Sequence, residues 1–153
     1  MLNKPLSSQQ SGPPSQTESE RLRILIVDDN SDVAECLALL LETLGHETAV
    51  ANCGADAIET ARRAMPHTMF IDIGMPQING YELARRLRND PNFAGIRLVA
   101  LSGYGQDEDR RRAFEAGFDA HLTKPASSEE LESVIRNRPA EARDRLTATS
   151  SGP

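Results

Sequence analysis

Five times between residues 21 and 138, a short run of apolar and β-branched residues is followed by a longer segment whose apolar residues recur at helical spacing. No other feature of the chain narrows the choice of folds as far. The runs are Leu22 to Val27, Thr48 to Ala51, Thr68 to Ile71, Ile96 to Leu101 and Phe118 to Leu122. The first helical segment places Val33, Leu37, Leu40, Leu41 and Leu44 on one face and stops at Gly45. The second carries Ile58, Ala61 and Met65 and is ended by Pro66, and the third carries Leu83, Ala84 and Leu87 before Asp90 and Pro91. The fourth, over 107 to 116, has few apolar residues, chiefly Ala113, Phe114 and Ala116, with Gly117 as its cap. Ser127 and Glu130 form a capping box ahead of Leu131, Val134 and Ile135 in the fifth. Strict alternation calls for right-handed crossovers, hence an α/β domain: a (βα)5, doubly wound, five-stranded parallel sheet with helices on both faces. The near-continuous apolar character of the first and fourth runs suits strands buried on both sides.

The flanks differ from this repeating part. Residues 1 to 20 are dominated by Ser, Gln, Pro and Gly and are expected to form a disordered leader, and Pro139 to Pro153 a loose tail. The expected domain is therefore single, over 21 to 138. A net charge of -6 argues against direct nucleic-acid binding, and the triplet Arg110, Arg111, Arg112 is too short to reverse that. Cys36 and Cys53 lack metal-site spacing and read as ordinary buried thiols in a reducing compartment. No apolar run approaches the roughly 18 residues of a membrane span and the N-terminus lacks the apolar core of a signal peptide. Hence no membrane partner is expected, and a cytoplasmic location is.

In open parallel sheets the ligand site lies at the carboxyl ends of the strands. There the chain supplies Asp28 and Asp29 after the first run, Asp72 after the third, Ser102 after the fourth and Lys124 after the fifth. Three carboxylates on one rim repel unless a cation stands among them. An all-oxygen donor set suits Mg2+, with Mn2+ as a substitute, and disfavours zinc. Lys124 is informative because the chain holds 15 Arg and only 2 Lys, the other being Lys4 in the leader. A position that departs from this habit points to a need for a compact point charge, as a phosphoryl oxygen would demand. Transfer of a phosphoryl group to a carboxylate needs chiefly alignment and neutralisation of its equatorial oxygens. The cation, Lys124 and the Ser102 hydroxyl can provide that, with Asp72 on the central third strand as nucleophile.

The segments Val27-Asp28-Asp29-Asn30, Asp72-Ile73-Gly74-Met75-Pro76 with Gly80, Ser102-Gly103 and Lys124-Pro125 together resemble the receiver domain of two-component response regulators. The resemblance covers about residues 21 to 138 and implies the flavodoxin-like strand order 2-1-3-4-5. It implies that Asp72 is the phosphoacceptor, that Asp28, Asp29, Asp72 and the backbone carbonyl of Gly74 hold Mg2+, and that Lys124 contacts the phosphoryl group. Ser102 matches the switch hydroxyl, and the Lys124-Pro125 bond would be cis. His121 falls at the switch aromatic, more often Tyr or Phe. Two readings of it stand side by side: a ring that takes part in switching, or a partly exposed histidine at a strand edge.

The same resemblance implies a signalling switch rather than an enzyme, with only self-catalysed phosphoryl acceptance and autodephosphorylation. Its donor would be a histidine kinase or a histidine phosphotransfer protein, docking beside the first helix. Phosphorylation would change the 107 to 138 face for an unknown downstream protein, and the same face would make the chain a monomer or a weak dimer. The sparse 107 to 116 helix fits an element that shifts. No output segment follows residue 138, which suggests either a stand-alone protein, favoured by the Met1 start, or a piece of a hybrid histidine kinase.

Three rivals are weighed against this. A Mg2+-dependent phosphohydrolase of the haloacid dehalogenase type also uses an Asp nucleophile, but Asp72 is followed by Ile73, Gly74 and Met75 rather than by the DxDx[TV] pattern those enzymes show. A flavin-binding flavodoxin-like module would need a Ser, Thr and Gly-rich phosphate loop after the first strand, where Asp28-Asp29-Asn30 stands. A structural receiver that no longer takes phosphate is disfavoured because every polar position is filled.

Overall fold

The computed structural model describes residues 21 to 103 and 107 to 136; the expected leader and tail lie outside the described residues. Strands β1 (Arg23–Val27), β2 (Glu47–Ala51), β3 (Thr68–Asp72), β4 (Arg97–Ser102) and β5 (Ala120–Thr123) alternate with helices α1 (Ser31–Thr43), α2 (Gly54–Ala64), α3 (Gly80–Arg88), α4 (Asp107–Ala116) and α5 (Ser128–Arg136). A 3-10 turn, Pro91–Phe93, sits between α3 and β4. Among the described residues all the strand pairings are parallel and the strand order is β2-β1-β3-β4-β5, as the alternation and the resemblance lead one to expect. No helix among the described residues is long and apolar enough to cross a membrane.

The period of two along each strand divides its residues between two cores. Leu25 and Val27 of β1, Met69 and Ile71 of β3, and Leu98 and Ala100 of β4 face the layer of α2, α3 and α4. Ile24, Ile26, Phe70, Val99 and Leu101 face α1 and α5. β4 is buried throughout and β1 from Ile24 to Val27, as the continuous apolar character of the first and fourth runs leads one to expect, and β3 is buried throughout as well. The helix ends follow their local chemistry. Asn30 Oδ1 accepts from Val33 N at 3.2 Å to cap α1. The expected capping box of α5 is formed in both directions, Glu130 N to Ser127 Oγ at 3.1 Å and Ser127 N to Glu130 Oε1 at 2.9 Å.

Three expectations need correction. The face that α1 buries centres on Ala34, Ala38 and Leu41, while Val33 is 40% exposed and Leu37, Leu40 and Leu44 are half-buried. Small alanines let the helix approach the sheet closely, and the leucines splay at the margin of the contact. Met65 does not continue the face of α2; it adopts a left-handed φ of 47° and is 43% exposed. Pro66 disfavours right-handed backbone in the residue before it, so the helix ends at Ala64. Finally, the cysteines are not buried thiols: Cys36 is exposed, lying off the Ala34–Ala38 face, and Cys53 is half-buried at the start of α2.

Candidate functional site

The carboxyl ends of β1, β3, β4 and β5 bring the five sequence-predicted polar residues to one rim. Asp28, Asp29 and Asp72 each offer a carboxylate oxygen, and these oxygens lie within 4.8 Å of one another. Asp28 is buried and Asp29 is exposed, so the cluster spans the boundary between protein and solvent. Asp28 Oδ1 accepts from Asn30 N at 3.0 Å and Asp28 Oδ2 from Lys124 Nζ at 3.0 Å. Lys124 Nζ also stands 3.5 Å from Asp72 Oδ2, so one ammonium bridges the acids of β1 and β3 across 96 and 52 residues of chain respectively, the latter being 124 less 72. The other oxygen of Asp72, Oδ1, accepts from Gly74 N at 3.0 Å. The Lys124-Pro125 bond is cis.

These contacts set the charges of the rim. Burial pushes the Asp72 carboxyl above its ordinary value; the Gly74 N–H and then Lys124 pull it back, and Asp28 and Asp29 add to the rise. Burial works against the Lys124 ammonium, but the bond to Asp28 and the charges of Asp72 and Asp28 outweigh it, and its pKa is raised. A buried carboxyl held above its usual range beside two more acids is a site that gains from a further cation. The donors present, carboxylate oxygens with no thiol or imidazole among them, fit a hard divalent ion such as Mg2+.

Ser102 is the last residue of β4, one position beyond Leu101, the partner of Asp72 in the β3–β4 ladder. Its carbonyl accepts from Lys124 N at 2.7 Å, which ties the fourth strand end to the fifth. Its hydroxyl lies 2.9 Å from His121 Nε2. His121 is only 6% exposed, so the reading of it as a partly exposed edge histidine does not hold: β5 is an edge strand, yet its side chain points into the layer that α4 covers. Burial first, then Arg110, lower its pKa, and Asp109 opposes them.

Two residues position the site in ways that sequence reasoning did not identify. Asn52 Nδ2 donates to the Asp28 carbonyl at 2.8 Å, holding the end of β1 to the loop after β2. Gly80, quoted above only as part of a motif, is required by close approach: a Cβ there would stand 2.5 Å from Ile73 Cα and 2.9 Å from the Asp72 carbonyl oxygen. Nothing in the local sequence announces the role of Asn52, and the motif that contains Gly80 does not by itself show the close approach. Beside the acidic rim, Val33, Cys36, Leu37 and Leu40 of α1 face Leu101, Pro125 and Ala126 across an apolar groove of about 390 Å3 that has Lys124 at its edge.

Comparison with known proteins points to one family. The model of the response regulator receiver domain matches residues 24–136. The chain is 33% identical over 120 residues to the response regulator Rre1 of Synechocystis, covering 78% of this chain and 52% of that protein, so it spans about half the length of that relative. The receiver domain (CheY-like) of a response regulator from Methylobacillus flagellatus superposes with a TM-score of 0.67 at 30% identity, covering 76% of this chain and 98% of that one. The receiver domain of the sensor histidine kinase PA1611 from Pseudomonas aeruginosa, with a magnesium ion coordinated in its active-site cleft, superposes with a TM-score of 0.69 at 26% identity and covers 76% of this chain and 96% of that one.

Proposed function

The chain belongs to the response regulator receiver domain family and is a phosphoacceptor switch of two-component signalling, and from that premise we propose that Asp72 is the residue that takes the phosphoryl group. The observation that carries this reading is Lys124 standing between Asp28 and Asp72 at the mouth of an oxygen-only acidic cluster. Asp72 Oδ1 is held by the Gly74 N–H, which leaves Oδ2, beside Lys124, to form the new P–O bond. As it forms, the P–N bond of a phosphohistidine donor breaks, and the imidazole nitrogen keeps the electron pair and takes up a proton. Lys124 neutralises a phosphoryl oxygen and the Ser102 hydroxyl donates to another. Asp28, Asp29, Asp72 and the Gly74 carbonyl would hold Mg2+, or Mn2+ in its place, which supplies further positive charge against the phosphoryl oxygens.

The phosphoryl donor in this reading is a histidine kinase or a histidine phosphotransfer protein that docks on the groove beside α1. The chain acts as a cytoplasmic switch with no turnover beyond its own phosphorylation and autodephosphorylation. Its domain runs over 21 to 138, and the face built by α4, β5 and α5 passes the state of Asp72 to a downstream protein or to a second copy in a weak dimer. His121 and Ser102 lie at the base of that face.

The test is incubation with Mg2+ and a small acyl phosphate or amidophosphate, followed by intact mass of wild type and Asp72→Asn. A labile addition of one phosphoryl group to wild type alone, abolished by chelator, is expected. Stable addition to both proteins would overturn the assignment, and sustained release of phosphate from a small ester would favour a phosphohydrolase instead.

A further inference from the structure

α1 carries a second apolar stripe besides the one it buries. Ala34, Ala38 and Leu41 meet the sheet, whereas Val33, Cys36, Leu37 and Leu40 recur at i, i+3, i+4 and i+7 and line the groove that faces Pro125 and Ala126. That spacing is what one helix presents to another, since residues three and four apart stand on one side. Lys124 lies at the edge of the groove and 3.5 Å from Asp72 Oδ2, so a helix seated there passes beside the reacting oxygen. Acids edge the stripe. The charged residues of α1 are Asp32, Glu35 and Glu42, all exposed, and α5, into which the Pro125–Ala126 wall leads, opens with exposed Glu129 and Glu130. None of these is ion-paired among the described residues. Positive charge is concentrated on the other layer: α2, α3 and α4 carry two, three and three arginines, α1 none, and α5 only Arg136, in its last turn. At the rim, Lys124 and a divalent cation can balance Asp28, Asp29 and Asp72, but they leave the acids beside the groove without a counter-charge.

We infer that this groove selects the phosphoryl donor by charge: it takes a helix whose apolar stripe is flanked by lysines or arginines and turns away one flanked by acids. The inference rests on the reading of Asp72 as acceptor and of the donor as a protein that docks beside α1. Such a donor arrives with an anionic phosphoryl group on its histidine, and the acids of α1 and α5 oppose that charge as it nears. Basic flanks reverse the sign of the encounter. They raise the rate of association and fix the register in which the histidine faces Asp72. The apolar stripe holds the helix once it is seated, and the acids decide which helices reach it. A small amidophosphate occupies none of the groove, so uptake from it reports on Asp72 alone.

Two synthetic helical peptides test this. Each carries one chemically phosphorylated histidine beside the same stripe of leucines at i, i+3, i+4 and i+7, with lysines on the flanks of one and glutamates on the flanks of the other. Phosphoryl transfer to the full chain with Mg2+ is followed by intact mass, each rate being taken relative to the same protein's uptake from a small amidophosphate. The lysine peptide should transfer at least roughly tenfold faster at low salt, and the difference should shrink to about twofold in about 0.5 M salt. Asp32→Asn/Glu35→Gln should lose most of the preference. In a protein that takes phosphate from the amidophosphate, equal rates, a preference for the glutamate peptide, no transfer from either, or a preference indifferent to salt or to the double substitution would overturn the inference alone. If wild type takes phosphate from neither the peptides nor the amidophosphate, the Asp72 reading falls and this one with it.

Discussion

Asp28 is 2% exposed and yet charged chemistry is asked of it, which is tolerable because each of its oxygens has a donor, Asn30 N on one and Lys124 Nζ on the other. The strand-end acids and Lys124 were legible in the sequence because each follows directly on an apolar run, so their place on the rim follows from the fold class. The Ser102–His121 bond was not, since it depends on the register of β4 against β5 and on a side chain turning inward from an edge strand. That buried histidine has a consequence for stability. Its pKa is lowered by burial and Arg110 from an ordinary 6.5, so as pH falls below 6.5 the unfolded chain takes up the proton first. Stability is unaffected by His121 above that value and is lost below it, down to the lower folded pKa. His121→Gln removes this term, while the other histidines are common to both proteins and drop out of the comparison. Melting curves from about pH 7.5 to 5 should therefore show wild type losing roughly a few degrees more than the variant; parallel losses would mean the ring is not held neutral.

At the scale of elements, α4 and α1 are built differently. α4 buries only Ala113 and Ala116, both small, and leaves Phe114 48% exposed. α1 buries Ala34, Ala38 and Leu41, has a side-chain cap at Asn30, and lies against β1 and β2. Less apolar area removed from water means a lower free energy of local opening. Amide exchange should be faster throughout α4 than in the middle of α1, and equal protection would remove α4 as the element that moves on phosphorylation. The sparseness of α4 was plain in its composition. The buried face of α1 was misjudged because periodicity locates apolar residues but not how closely a helix approaches its sheet, and here alanines rather than leucines occupy the contact.

Across the whole molecule, one side chain on the rim opposite the site joins elements that are distant in sequence. Arg88, at the end of α3, donates to the Gly117 carbonyl at 2.9 Å, the Ile96 carbonyl at 2.8 Å and Asp119 Oδ2 at 2.6 Å. Asp119 Oδ2 also accepts from Leu98 N at 2.8 Å, so the starts of β4 and β5 hang on the same pair. Local sequence shows Arg88 only as one of several cations on a charged helix, because its partners are 8, 29 and 31 residues away. Arg88→Met keeps the aliphatic stem and leaves Asp119 without its cation. Urea unfolding should show a loss of about 2 kcal/mol, with phosphoryl uptake by the folded protein unchanged. Slower uptake would mean that the two rims are coupled.

Lys124 is the one lysine among the described residues, the chain's other being Lys4. Gripped as an ammonium between two carboxylates, with its proton held more tightly than usual, it is a poor nucleophile toward an amine-directed reagent. The ratio of acylation at Lys124 to that at Lys4 within the same chain is thus an internal chemical gauge of what occupies the acidic rim, one that needs neither a substitution nor an attached probe.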